Sequence, residues 1–326
     1  MTDTTRPPGP QLPPVLQEAI DKFKAWGDQH LLAEQDASTI TVPLYHYTNA
    51  QGLRGILESG QVWFTDYMHL NDPSELTYGI KMAHDVAQFL CEGADGRVRL
   101  FLEDFVDMLR PDNFAGNLEF FIASFSRKRD DLGQWRAYAD NGKGYAIGFA
   151  PEMFSITDPV PGKAGEVLGP VRYKIDEVRA RHNAALKEAV RIFLDTVNAN
   201  ADLVANKALG IPFMDQFVRE VLAQPIIWNC LTSKHDAYEH EEEVRLLIMG
   251  MPGRLSQYVT TRLRGSEIVP YIAHPMPLRE PGHIAEIVVG PAASPGAEGT
   301  VSTLLTSLGL DPNITVNRSD IPYRAL

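Results

Sequence analysis

The chain has 326 residues, with 30 Lys+Arg against 42 Asp+Glu and a formal charge of −12. Hydrophobic residues make up 44% and charged residues 22%, the make-up of a globular protein that can bury about three-quarters of its unfolded surface in one or two domains. The acidic balance argues against coating DNA or anionic lipid through bulk charge. The two cysteines, Cys91 and Cys230, without CxxC spacing, argue against a disulfide framework or a thiolate zinc site.

Residues 1–14 are polar and carry five prolines, without the basic-then-apolar order of a signal peptide. They read as a disordered or extended leader. No run approaches the roughly 18 apolar residues of a membrane span, so a cytoplasmic protein without a membrane partner is expected. From Val15 to about Glu34, Leu16, Ala19, Ile20, Phe23 and Trp26 recur at helical spacing. A strand follows over about Thr39–Tyr47, its alternation placing Leu44 and His46 on one face and Tyr45 and Tyr47 on the other. Thr48 or Asn49 caps a short helix carrying Leu53, Ile56 and Leu57, which Gly60 ends. Val62–Thr65 is a second strand, and the unit is too compact for a Rossmann crossover.

Asp72-Pro73-Ser74-Glu75 has the order of a helix start, and helices are expected over about Pro73–Cys91 and Arg97–Leu109. Strands follow at Phe120–Ser126 and Tyr145–Phe149. Between them Asn141-Gly142-Lys143-Gly144 fits a hairpin turn better than a phosphate cradle. Val167–Tyr173 is a further strand candidate. Ile175–Leu209, with a break near Asn198 and Asn200, and Met214–Cys230 read as helices. The chain then returns to strands at Val244–Met249, Tyr258–Leu263, Ile268–Ala273 and Ile284–Val289, with a helix near Val301–Leu308 and a strand at Ile314–Val316. The pattern predicts an α+β fold: one domain over 15–326, interrupted by a helical insertion at about 175–240.

GxxxxGK[ST], GxSxG and HExxH are all missing, which disfavours a P-loop NTPase, an α/β-hydrolase and a zincin. Four clusters carry chemistry-bearing side chains. His46 lies near a strand end, where a core or edge role would serve as well as a functional one. Asn71 stands just before the Asp72 cap. Ser124 and Ser126 lead into Arg127, Lys128, Arg129, Trp135, Arg136 and Tyr138, a set able to hold an anion and stack a planar ring, or simply a packed Trp and Tyr beside a solvated charge run. Glu241, Glu243 and Arg245 alternate along an expected strand, where two carboxylates in register need a nearby cation to ionise together. His235 and His240, five apart, match no standard metal pattern, and no metal site is assigned.

Taken in order, Leu44–Thr48 (LYHYT), Leu70–Glu75 (LNDPSE), Ser124–Phe149 (SFS…WxxY…GxxIxF) and Glu241–Arg245 (ExExR) resemble a bacterial domain family of unknown function, over roughly residues 42–324. That family is remotely similar to the ADP-ribosyltransferase fold, a split mixed β-sheet. The resemblance implies NAD as substrate, with His46 on the ribose and Glu243 as catalytic glutamate. Glu241 would orient the acceptor or share that role. Tyr47 or Tyr138 would stack the nicotinamide, and Ser124 with Ser126 would match the central Ser-x-Ser strand. Thr48, Asn71, Trp135, Arg136 and Arg245 are further binding candidates; the LNDP and WRxxY motifs belong to that family alone, and Arg136 with the neighbouring cations is expected to hold the pyrophosphate, since a guanidinium matches phosphate oxygens bidentately. His46 and Glu243 should then lie within about two strand spacings of each other.

The resulting expectation is an NAD-dependent ADP-ribosyltransferase-like enzyme, of toxin or phage-defence type, acting on protein, DNA or RNA. One alternative is a non-catalytic nucleotide- or partner-binding module on the same fold. A weaker one is a metal-dependent hydrolase or nuclease using Glu241, Glu243, His235 and His240.

Overall fold

The structure is a computed structural model and describes residues 12–36, 40–70, 74–110, 119–154, 166–250, 253 and 255–324. Its elements in chain order begin with helix α1 (Pro14–Asp36), strand β1 (Leu44–Thr48), helix α2 (Ala50–Ser59) and strand β2 (Gln61–Asp66). Helices α3 (Ser74–Cys91) and α4 (Gly96–Met108), strand β3 (Glu119–Ser126), helix α5 (Leu132–Tyr138), and strands β4 (Tyr145–Phe149) and β5 (Glu166–Pro170) follow. Then come helices α6 (Ile175–Ala199), α7 (Ala201–Ala205), α8 (Lys207–Asp215) and α9 (Ala223–Leu231). The chain closes with strands β6 (Glu243–Gly250), β7 (Val259–Arg264), β8 (Glu267–Pro275) and β9 (Ile284–Val289), helix α10 (Ala297–Ser307) and strand β10 (Thr315–Arg318). The fold is α+β.

Two compact units divide these elements. The described residues within 1–37, 74–118 and 172–236 form one, and those within 38–73, 119–171 and 237–326 form the other. The first is helical. Its core gathers Phe23, Phe101, Phe193, Phe213 and Phe217, with Phe23 and Phe101 each packed on Phe217 at 5.3 and 5.7 Å between ring centres. The expected helix over 175–209 breaks at Asn200 and again at Asn206, where the backbone leaves helical angles and Asn206 caps α8 through the Ala208 amide. The segment expected as one helix from Met214 contains a π-helical stretch at Gln216–Leu222 before α9.

His182 of α6 is wholly buried, and neither ring nitrogen has a hydrogen-bond partner among the described residues. Burial, reinforced by the charge of Arg181, drops its pKa to about 3. The unfolded ring takes up a proton near 6.5 and the folded ring does not, so stability falls as pH drops from about 6.5 toward 3, at about 1.4 kcal/mol per unit. His182→Leu should flatten that stretch of the pH–stability curve. An unchanged slope in urea denaturation between pH 6.5 and 4 would count against this account.

The second unit holds the sheet, with strand order β10-β9-β4-β1-β3-β2-β8-β7, and with β6 pairing both β3 and β5. One face carries the apolar core, in which Leu44, Phe64, Phe125, Ile147, Phe149, Val244 and Ile287 meet Leu53, Ile56 and Leu57 of α2 and Val301 and Leu305 of α10. The α2 helix forms as its sequence dictates. Asn49 caps it, accepting from the Gly52 amide at 2.8 Å, and Gly60 ends it in the left-handed conformation (φ 67°) that glycine alone adopts without strain. The segment Asn141–Gly144 is a turn, but not between paired strands: it joins α5 to β4, and β3 and β4 both pair with β1 instead of each other. A Cβ at Gly144 would come within 2.3 Å of the Thr48 carbonyl oxygen, so that position admits glycine only.

One strand has three neighbours. β3 pairs along its whole length with β6, from Glu119↔Gly250 to Ser126↔Glu243. Its other edge is divided: β1 meets it at Tyr45↔Ser126, and β2 meets it at Thr65↔Ile122 and Asp66↔Phe121. β1 and β2 are therefore both antiparallel to β3 and occupy opposite ends of one edge. A notch is left opposite Ala123–Phe125.

Candidate functional site

Cross-strand partners carry their side chains on the same face. Tyr45, Ser126 and Glu243 form one such row across β1, β3 and β6, and Ser124 with Arg245 starts the next. This face is opposite to the apolar core. It carries two serines, a buried ion pair, and the tyrosines of β1.

Glu243 and Arg245 are buried and joined twice, Nε to Oε1 at 2.8 Å and Nη2 to Oε2 at 3.0 Å. Glu241 does not belong to the strand. It ends a 3-10 turn (Asp236–Glu241), and Glu242 then adopts a left-handed φ of 42° before β6 begins. The expected three-residue alternation is thus broken after its first member. Glu241 is nonetheless held close: its carbonyl accepts from Ser126 Oγ at 2.6 Å, and its carboxylate lies 3.5 Å from the Tyr138 hydroxyl.

His46 sits in the notch. Its Nδ1 is 3.0 Å from the carbonyl oxygen of Ser124, in the middle of the β3 stretch that neither β1 nor β2 pairs. A carbonyl only accepts, so Nδ1 carries the hydrogen and the neutral ring leaves Nε2 as an acceptor. By strand alternation His46 leaves β1 on the face opposite Tyr45, and its ring lies 5.7 Å from that of Phe125. His46 and Glu243 are separated by one intervening strand, but they do not start from the same face. Burial first, and then the charge of Arg262, lower the His46 pKa against the opposing pull of the Ser124 carbonyl. Its imidazole should titrate below the ordinary 6.5 in an NMR pH series, and Arg262→Gln should move the midpoint upward. A wild-type midpoint at or above 6.5 would contradict this. The sign for stability follows: the neutral ring is favoured by folding, so stability is lost as pH falls below 6.5 toward the folded value.

In the basic, aromatic segment after β3, Trp135 is packed, as one of the two sequence readings has it, and two of the cations are ion-paired. Lys128 is paired with Glu242 at 2.7 Å, and Arg129 grips Glu286 through Nε and Nη2 at 2.8 and 2.9 Å. Glu286 also accepts from Tyr45, and burial pushes the Tyr45 hydroxyl well above its usual range. Trp135 is wholly buried, its indole N–H donating to Asp130 at 2.6 Å and its ring set edge-on to Tyr47 at 4.8 Å. Tyr47 is buried as well and donates its hydroxyl hydrogen to the Lys128 carbonyl at 2.8 Å. These two rings build the face and offer no open surface for stacking. Arg136 is exposed at the end of α5, and Thr48 is half-buried at the end of β1. Asn71 lies outside the described residues.

Three residues that the sequence reading missed stand at the notch's other side. Trp63 of β2 is 39% exposed, its ring 4.6 Å from that of Tyr271 on β8. The Arg262 guanidinium lies over both, 5.1 and 5.7 Å from their centres. Register places them on the Ser126 face: Thr65 pairs with Ile122 and Tyr271, and Arg262 donates to Thr65 Oγ1 at 2.9 Å.

Among the described residues no group of three or more His, Cys, Asp or Glu side chains is placed to hold a metal, and no helix is long and apolar enough to cross a membrane. His235 pairs with Asp236 at 2.9 Å, while His240 Nδ1 lies 3.2 Å from the Ala237 carbonyl. Comparison with known families finds similarity to a family described only as a protein of unknown function (DUF2971), over residues 134–246. That stretch starts after the Ser124–Ser126 pair and ends one residue beyond Arg245, so it takes in α5 from Gln134 on, β4 and the Glu241–Arg245 segment. It also spans α6–α9, the helices to which the motif resemblance assigned little. The LYHYT and LNDPSE segments fall outside it. No curated protein and no solved structure matches the chain.

Proposed function

We propose that this protein is an ADP-ribosyltransferase-like enzyme that cleaves the nicotinamide–ribose bond of NAD and passes ADP-ribose to a macromolecular acceptor. The observation that carries this reading is the adjacency β1–β3–β6. It brings the strand bearing His46, the Ser124/Ser126 strand and the strand bearing Glu243 side by side, with the shared edge of β3 opening a notch at His46. A sheet whose one strand serves two others on a single edge supports the finer reading of the α+β fold as a split sheet.

The chemistry asks for a fixed negative charge where positive charge grows. Breaking the nicotinamide–ribose bond makes the ribose carbon oxocarbenium-like, and a preorganised carboxylate beside the 2′-hydroxyl stabilises that state more than the ground state. Glu243 has the rigidity for it, because Arg245 holds its plane through both oxygens. Neutral His46, with Nδ1–H spent on Ser124, presents Nε2 as acceptor to a ribose hydroxyl. Nicotinamide release from NAD by the full chain, with protein, DNA and RNA acceptors offered in turn, tests the reading. Glu243→Gln should lower that release by about 10²–10³.

One observation favours a second reading, a non-catalytic nucleotide-binding module. Both oxygens of Glu243 are engaged by Arg245, and His46 leaves its strand on the other face. NAD binding without nicotinamide release under every acceptor condition would decide for the module.

A further inference from the structure

Arg262 differs from the ion-paired arginines of the sheet unit. Arg129, Arg245, Arg264 and Arg318 each hold a carboxylate, at Glu286, Glu243, Glu267 and Glu298 respectively. Arg262 holds none among the described residues. Burial first, and then the repelling charge of Arg264, lower its pKa. Its Nε is buried without a hydrogen-bond partner, and among the described residues its guanidinium donates to the neutral Thr65 hydroxyl. Stacking on Trp63 and Tyr271 satisfies no N–H. A half-buried guanidinium with an idle donor is costly unless an anion completes it. The two rings beneath it are the other half of a nucleotide's chemistry, an aromatic surface next to a fixed cation.

We propose that Arg262, with Thr65, Trp63 and Tyr271, is a pyrophosphate-binding subsite for a dinucleotide whose reacting ribose lies at the notch. The proposal rests on the NAD reading above for the identity of the dinucleotide. The phosphate chemistry rests on Arg262 alone. The guanidinium fork offers paired donors to non-bridging phosphate oxygens, which a point charge does not.

Calorimetry with the full chain tests it, using ADP-ribose, inorganic pyrophosphate and adenosine as probes. ADP-ribose should bind best, pyrophosphate more weakly and with a strong salt dependence, and adenosine poorly. Arg262→Gln should weaken ADP-ribose by about tenfold or more and abolish pyrophosphate binding, and Arg262→Lys should fall between, since it keeps charge and loses the fork. Circular dichroism and a thermal melt identify a variant that has not folded. In that event binding by Arg262→Lys decides: equal affinity for ADP-ribose in Arg262→Lys and wild type overturns the subsite. ADP-ribose affinity unchanged in a folded Arg262→Gln overturns it too, as does a wild-type chain that binds neither ADP-ribose nor pyrophosphate. The two proposals fail separately. Pyrophosphate binding that depends on Arg262 without any nicotinamide release keeps the subsite and discards the reaction. Nicotinamide release with an unchanged KM for NAD in Arg262→Gln keeps the reaction and discards the subsite.

Discussion

Replacing Arg245 with methionine is expected to lower the unfolding free energy of the sheet unit by about 3–5 kcal/mol. Both partners of the pair are almost wholly out of water, with side-chain exposures of 3% for Arg245 and 8% for Glu243. The methionine fills similar volume, so little of the loss comes from a cavity. Most of it comes from leaving the Glu243 carboxylate desolvated without its cation. The double variant Glu243→Leu/Arg245→Met removes that desolvated carboxylate as well and should recover most of the stability, which a loss of packing would not allow. Urea denaturation of the wild type, both single variants and the double variant gives the coupling directly. If the double variant is as unstable as the sum of the singles, the pair is two independent contacts and not a coupled one.

That ion pair was legible in the sequence because its spacing is two, the period of a strand, and a strand keeps such neighbours on one side. β4, β9, α2 and the Gly60 stop were legible for the same kind of reason: alternation, helical spacing and a left-handed glycine are all local signals. Glu241 illustrates where local signals end. Nothing in His240-Glu241-Glu242-Glu243 announces that Glu242 adopts φ 42°, yet that single residue removes Glu241 from the strand. The pairing of the basic run is not legible in the sequence for a related reason. Lys128 and Arg129 find Glu242 and Glu286, more than a hundred residues away, and a composition argument assigns no partner at that distance. Arg262 went unnoticed because β7 reads as an ordinary edge strand. Its significance comes from Trp63 and Tyr271, which topology alone brings beneath it. The only sequence signal was an arginine alternating with Thr260 and Arg264 on one strand face, which is too common to single out.

Of the two glutamates, Glu243 and not Glu241 is expected to govern bond cleavage, and nicotinamide release should separate them. Glu243 stands in the row of Ser126 and Tyr45, with a carboxylate fixed at both oxygens, the preorganisation that transition-state charge rewards. Glu243→Gln keeps the shape but removes the charge, and kcat should drop by about 10²–10³, equivalent to about 2.7–4 kcal/mol of barrier. The KM for NAD should change little, since the interaction strengthens only as the bond breaks. Glu241 is tied through its carbonyl to Ser126 and lies at the Tyr138 hydroxyl, beside α5 with exposed Arg136. Its place fits handling of the acceptor, so Glu241→Gln should reduce transfer to an acceptor more than it reduces hydrolysis of NAD by water. The reverse pattern, with Glu241→Gln silencing nicotinamide release and Glu243→Gln sparing it, would exchange the two roles and make the Glu243–Arg245 pair purely a structural brace. Loss of Glu243 stability does not mimic the expected result, because a partly unfolded variant loses kcat in proportion to its folded fraction, and the folded fraction is read independently from the same urea curves.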